Sequence, residues 1–181
     1  MRIITGKLKG RKLTAPENVT IRPTSDRAKE GLFNVIEARR FIDGCSVLDL
    51  FSGSGNLGFE AISRGAASAL MVDISPVAIK HIEKTASTFG VSSQISTRVS
   101  SIENFLSKPS GKFDLIFSDP PYDHPQIPES IELILNDGWL QPDGWYILEH
   151  DVRHLFHEHP KCVFTKPYGR TIVSIFMNEK P

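Results

Sequence analysis

The 181-residue chain predicts an α/β fold: a mostly parallel sheet with helices on both faces and a last strand free to run antiparallel. Three observations carry this. From Cys45 onward, short apolar, β-branched runs alternate with stretches of helical periodicity. Glycines at 53, 55 and 58 form G-x-G-x-x-G between the first such run and a helix. A later run, Phe113 to Phe117, stops at Asp119-Pro120-Pro121, where the ladder cannot continue. Strands separated by helices imply right-handed crossovers and therefore parallel pairing.

Residues 1–15 combine Ile3, Ile4, Leu8 and Leu13 with a basic, glycine-punctuated middle. They predict two short strands around a turn, with Lys7, Lys9, Arg11 and Lys12 near it. A mobile basic hairpin of this kind grips phosphate, because each neutralised phosphate releases counterions. Residues 1–23 are therefore an N-terminal extension within one domain, 1–181. Thr24 or Ser25 offers an N-cap and Asp26 a first-turn carboxylate for a helix from about Ser25 to Arg39. Val47–Leu50 reads as a buried strand, Leu57–Arg64 as a helix and Ala69–Ile74 as a strand. Pro76, favoured in a first turn, opens a helix that ends before Gly90. Ile95–Val99 is a third strand, followed by a short helix carrying Ile102, Phe105 and Leu106. After the strand ending at Asp119 come a helix from Pro128 to Asn136 and a strand at Trp145–Glu149. Val163–Thr165 and Thr171–Met177 make a closing hairpin.

Hydrophobic residues make up 40% of the chain, enough for one full core. Net charge is zero but unevenly placed: residues 1–40 hold ten Lys/Arg and four Asp/Glu, net +6, balanced by −6 in the remainder. Such asymmetry points to a polyanion partner for the basic part. Cys45 and Cys162 form no C-x-x-C pair, so neither a disulfide framework nor a zinc site is indicated. No apolar run has the length of a membrane span and no signal-peptide core opens the chain, so it reads as cytoplasmic. His150, His154, His157 and His159 read as a solvated connection rather than a metal site, and no metal is expected. Glu149, at a strand's end, either lines a pocket or caps the next turn.

The chemistry is expected at Asp119-Pro120-Pro121-Tyr122. The prolines stiffen the backbone beyond a strand's carboxyl end, which is where ligands bind in open α/β sheets. A carboxylate, backbone carbonyls without ladder partners and a flat ring suit a planar molecule bearing an NH2 group, such as a nucleobase. In the loop Asp49-Leu50-Phe51-Ser52-Gly53-Ser54-Gly55, the glycines allow a tight turn and close approach to a ligand. Asp73, twenty residues after Gly53, is placed to accept ribose hydroxyls. Alone this fits a NAD site. Asp49 inside the strand end, and the lack of a separate substrate domain, favour a cofactor with an α-amino group, a sulfonium and a ribose: S-adenosylmethionine.

Together, Asp49-x-Phe51-x-Gly53-Ser54-Gly55, Asp73 and Asp119-Pro120-Pro121-Tyr122 resemble the amino-methyltransferase branch of the class I, Rossmann-like methyltransferases. The N-terminal blocks Arg2-Ile3-Ile4-x-Gly6-Lys7, Gly10-Arg11-Lys12-Leu13, Arg22-Pro23-Thr24-Ser25-Asp26-Arg27 and Glu30-x-Leu32-Phe33-Asn34 extend the resemblance over the whole chain. They are similar to the bacterial small-subunit (16S) ribosomal RNA guanine-N2 methyltransferase family. That resemblance implies a seven-stranded sheet and a monomer acting on one guanine of ribosomal RNA, within an assembling or assembled small subunit. It implies cofactor contacts from Arg22, Thr24, Asp49, Phe51, Gly53, Ser54, Gly55, Asp73, Ile74 and Asp119, and RNA contacts from Lys7, Lys9, Arg11, Lys12 and Arg27. Where the family has Asp or Asn for the adenine amine, this chain has Ser100-Ser101-Ile102, leaving Ser101 or the Ile102 N–H for that contact.

Asp119 and the Pro120 carbonyl would accept hydrogen bonds from the guanine amine, turning its lone pair towards the methyl, while Tyr122 stacks on an unstacked base. Rivals are a DNA adenine-N6 methyltransferase, a protein glutamine methyltransferase (whose motif begins with Asn), a dehydrogenase, and a non-catalytic RNA-binding assembly factor.

Overall fold

The computed structural model describes residues 1–16, 26–121 and 123–178, without the Arg27 side chain. Arg22, Thr24, Ser25 and Tyr122 lie outside the described residues. Seven strands form one sheet: β1 (Ser46–Leu50), β2 (Ser68–Asp73), β3 (Ile95–Val99), β4 (Phe113–Ser118), β5 (Leu140–Asp151), β6 (Cys162–Tyr168) and β7 (Thr171–Phe176). Their order is β3-β2-β1-β4-β5-β7-β6. The first five pair in parallel and β7 runs antiparallel to both neighbours, as expected. The order reverses between β1 and β4, so a crevice opens at their carboxyl ends.

Strand alternation assigns each residue to a face. Val47, Met71, Leu115, Phe117, Ile147 and Val173 face a core covered by α1 (Asp26–Glu37), α2 (Asn56–Ser63) and α3 (Pro76–Phe89). Leu48, Leu50, Val72, Ile116, Tyr146 and Leu148 face a second core under α4 (Ile102–Leu106) and α5 (Ile127–Asn136). The local signals act as written. The Ser75 hydroxyl accepts from the Ala78 N–H at 3.2 Å, Pro76 starts α3, and Gly90 stops it at φ +72°.

Two features differ from expectation. β5 begins at Leu140, before the predicted Trp145, with a register shift against β4. The N-terminal hairpin is docked against α2. Its arms pair around an Arg2–Lys12 bridge, with Ile3 N–H donating to the Arg11 carbonyl (2.9 Å) and Leu13 N–H to that of Met1 (3.1 Å), and Ile3, Leu8 and Leu13 are buried in the first core. Its backbone is held from outside: Ile4 and Thr5 N–H donate to the Glu60 carboxylate (2.9 and 3.1 Å), and Lys7 N–H to the Ser63 carbonyl (2.8 Å).

Candidate active site

The loop after β1 is built from backbone that few residues adopt. Phe51 has φ +56°, a conformation costly for a side-chain-bearing residue, and Gly53 and Gly55 have φ +52° and +76°. The Ser52 hydroxyl lies 2.5 Å from the Asp49 carbonyl and 3.0 Å from that of Val72, pinning the turn across two strands. Gly58 has no room for a side chain: a Cβ there would lie 2.4 Å from Met71 Cε and 3.0 Å from Asp49 Oδ2. The third glycine of the motif thus keeps α2 close to the sheet.

Alternation puts Asp49, Asp73, Asp119 and Glu149 on the α1–α3 face at the carboxyl ends of four strands. Asp49 pairs with Met71 on one side and Phe117 on the other, so Asp73 and Asp119 stand two residues beyond it. That is about 6.6 Å at the usual strand rise. Leu148 pairs with Ser118, so Glu149 is level with Asp119. Asp73 is fixed by both oxygens, accepting from Gly53 N–H and Ser75 N–H at 2.8 Å each. Asp49 is buried, and its Oδ2 accepts from Gly58 N–H at 2.9 Å. Burial pushes its carboxyl up to about 8; the Gly58 bond opposes this, while the charges of Asp119 and Asp73 add to it. A buried acid ringed by acids favours a cationic ligand.

The other expected contacts divide. Phe51, Ser54, Ile74, Ser101, Ile102 and Pro120 gather around the same strand ends. Ile74 is an apolar side chain 70% exposed directly after Asp73, positioned to cover a flat ring. Ser101 caps α4, accepting from Asn104 N–H at 3.3 Å, and Ile102 N–H is a first-turn donor with no acceptor inside the helix. His124 packs edge-on against Phe51, with ring centroids 5.1 Å apart, and its Nε2 is 3.3 Å from Glu103 Oε1.

Lys7 and Arg11, of the basic residues, make their described contacts away from these strand ends. Lys7 Nζ donates to Gln94 Oε1, and its backbone is tied to Ser63 at the far end of α2 from the glycine loop. Eight helical residues, about 12 Å, separate those ends. Arg11 lies over the Phe89 ring, and Lys12 pairs with Arg2. Lys9 belongs to the same turn and Arg27 to α1. Of the histidines, His150 is buried between Ser174 Oγ (2.8 Å) and the Asp151 carbonyl (3.0 Å), and burial lowers its pKa. His154 stacks on Phe156, and His159 pairs with Glu132. Among the described residues, no group of three His, Cys, Asp or Glu is placed to hold a metal.

Sequence reasoning missed the link between hairpin and loop. Lys29 of α1 is fully buried, with Nζ 2.7 Å from the Arg2 carbonyl, 2.7 Å from Asn56 Oδ1 and 3.0 Å from Glu60 Oε2. Arg64 Nε meets the other Glu60 oxygen at 2.9 Å. Glu60, an acid inside the apolar helix Asn56–Ser63, was the available signal.

A seven-stranded sheet in this order, with acids at the ends of β1, β2 and β4 around a glycine loop, defines a class I, Rossmann-like methyltransferase. A family profile described as Conserved hypothetical protein 95 matches residues 1–177, and the chain belongs to that family. It is 37% identical to the putative rRNA methyltransferase YlbH of Bacillus subtilis (strain 168) over 154 residues, 83% of each chain. It is 35% identical over 156 residues to the ribosomal RNA small subunit methyltransferase D of Escherichia coli (strain K12), covering 85% of this chain and 76% of that one. The solved structure of the putative methyltransferase yhhF from Escherichia coli superposes with a TM-score of 0.86 at 30% identity, covering 100% of this chain and 99% of that one.

Proposed function

We propose that the protein, acting as a monomer in the cytoplasm, methylates the exocyclic N2 amine of a guanine in small-subunit ribosomal RNA. That it is an S-adenosylmethionine-dependent rRNA methyltransferase follows from its family and relatives. An exocyclic amine as target is supported by Asp119, which follows β4 ahead of a double proline; guanine N2 is what the resemblance of the N-terminal blocks and this motif implies.

The site fits the cofactor. Asp49, buried and among acids, suits an α-ammonium group; Asp73, fixed by two backbone N–H groups, keeps lone pairs for ribose hydroxyls. Ile74 and Phe51 offer apolar surface for the adenine, with Ile102 N–H and Ser101 at its edge. The loop at Gly53, Ser54 and Gly55 admits close approach. Bound there, S-adenosylmethionine supplies a methyl group made electrophilic by its sulfonium.

The chain's own residues do the rest. The guanine amine is a weak nucleophile, because its lone pair is delocalised into the ring. Asp119, with the Pro120 carbonyl, accepts its two hydrogens and holds the lone pair in line with the methyl. The positive charge that develops on nitrogen meets a preorganised carboxylate, and the surplus proton leaves to Asp119 or water. Tyr122 stacks on the base; Arg22 and Thr24 border the donor or target; Lys7, Lys9, Arg11, Lys12 and Arg27 meet RNA phosphate.

The test uses labelled S-adenosylmethionine with small subunits from cells lacking the gene, alongside naked ribosomal RNA and duplex DNA. N2-methylguanosine formed by the wild type and not by Asp119→Ala, with donor binding intact, is expected. N6-methyladenine in DNA would overturn the substrate.

A further inference from the structure

We propose that Arg153 and Arg170 form a clamp for RNA phosphate at the edge of the catalytic end. Such a clamp presupposes ribosomal RNA as the substrate, but not guanine N2 as the atom methylated.

β5 ends at Asp151, which pairs with Thr171, the first residue of β7. Arg170, in the turn between β6 and β7, is thereby brought beside the turn after β5 that carries Arg153. Both arginines meet one carboxylate. Asp151 Oδ1 accepts from Arg153 N–H at 3.0 Å and from Arg153 Nε at 2.8 Å, and its Oδ2 lies 3.9 Å from Arg170 Nη2. Arg153 Nη2 also donates to Asp123 Oδ1 at 2.9 Å. Asp123 directly follows Asp119-Pro120-Pro121-Tyr122, so the pair of arginines borders the acceptor loop.

Depth decides which charge meets solvent. The Asp151 side chain is 1% exposed, whereas those of Arg153 and Arg170 are 60% and 83% exposed. The anion lies underneath and the cations outside. Hydrogen bonds from the Arg153 N–H and guanidinium hold the Asp151 carboxyl below the usual carboxylate range, so it stays ionised beneath them. Asp123 is 87% exposed, and an ion pair so exposed contributes little. Arg153 can therefore exchange that carboxylate for a phosphate oxygen. Guanidinium groups suit this partner, because each is weakly hydrated and presents a planar fork that donates to two phosphate oxygens at once. Val152 and Leu155, exposed on either side of Arg153 in the chain, add apolar surface for the face of an unstacked base. A looped RNA strand offers both the phosphate and that face.

The experiment measures binding to small subunits from cells lacking the gene over a range of KCl concentrations. Each phosphate contact contributes ~0.7–0.9 to the slope of log affinity against log salt. Arg170→Gln and Arg153→Gln should each lower the slope by that amount and raise KM for subunits more than they lower kcat, with S-adenosylmethionine affinity kept. Arg170→Lys retains the charge and should retain the slope. Urea unfolding checks that each variant is folded. An Arg170→Gln slope equal to that of the wild type would overturn the proposal, whatever Arg153→Gln does. So would a benzophenone cross-linker carried at position 170 that captures a ribosomal protein and no RNA. A wild type that transfers no methyl group to small subunits would instead refute the rRNA reading on which the clamp rests.

Discussion

Asp49 should make both stability and cofactor binding depend on pH around neutrality. Its carboxyl, ordinarily near 3.8, is pushed up to about 8 by burial, against the Gly58 hydrogen bond and with help from Asp119 and Asp73. The folded protein therefore holds this proton more tightly than the unfolded chain. The stabilisation is fully present below pH 3.8 and is lost as pH rises towards 8. The slope between those limits is about 1.4 kcal/mol per pH unit. Asp49→Asn keeps an oxygen for Gly58 N–H and removes the titration. Urea unfolding of both proteins without ligand at pH 5, 6 and 7 should show the variant gaining on the wild type by about that amount per unit. Parallel stability curves would refute the reasoning. At pH 7 a group titrating at about 8 is about nine-tenths protonated. An ammonium group placed beside it then expels nearly one proton. Calorimetry of S-adenosylmethionine binding in buffers of different ionisation enthalpy should register that release in the wild type and not in Asp49→Asn.

The remaining predictions concern packing and the buried charges. Gly58→Ala places a methyl where Met71 Cε and Asp49 Oδ2 now sit, at 2.4 and 3.0 Å. Donor affinity measured by titration should fall roughly tenfold (about 1.4 kcal/mol), and trimming Met71 to Ala in the same protein should restore part of it. Glu60→Ala leaves Lys29 buried without its counter-charge and frees the Ile4 and Thr5 amides. It should cost about 3–5 kcal/mol in denaturant unfolding, whereas Lys29→Met combined with Glu60→Gln should lose less than the Ala variant.

Much of this fold is legible because its signals are local. The apolar runs, Pro76, Gly90 and the glycine loop place most helices and strands to within a residue or two. The errors are tertiary. Gln141-Pro142-Asp143-Gly144 carries the residues of a turn, yet it continues β5 against Phe113; Gly144 allows this, because a Cβ there would lie 2.8 Å from the Phe113 carbonyl. The basic hairpin reads as a mobile arm, because nothing local reveals that Glu60 and Ser63 capture its amides. Nor does anything local reveal that Ser63 and Gln94 fix its turn at the far end of α2. Asp49, Asp73 and Asp119 are visible in the sequence through their strand ends. That Glu149 stands level with Asp119 depends on the β4–β5 register, a pairing between residues thirty apart.

The carboxylates at the sheet's ends repel one another, and the fold relieves this unequally. Asp73 receives two backbone N–H groups. Asp49 receives one and is driven towards neutrality. A negative charge on Asp119 disfavours one on Asp49. Lys29 couples the same region mechanically: one ammonium group ties the hairpin backbone at Arg2, the first residue of α2 at Asn56 and the anchoring Glu60. One buried ion pair thus holds the N-terminal hairpin and the start of α2, beside the glycine loop, in one register.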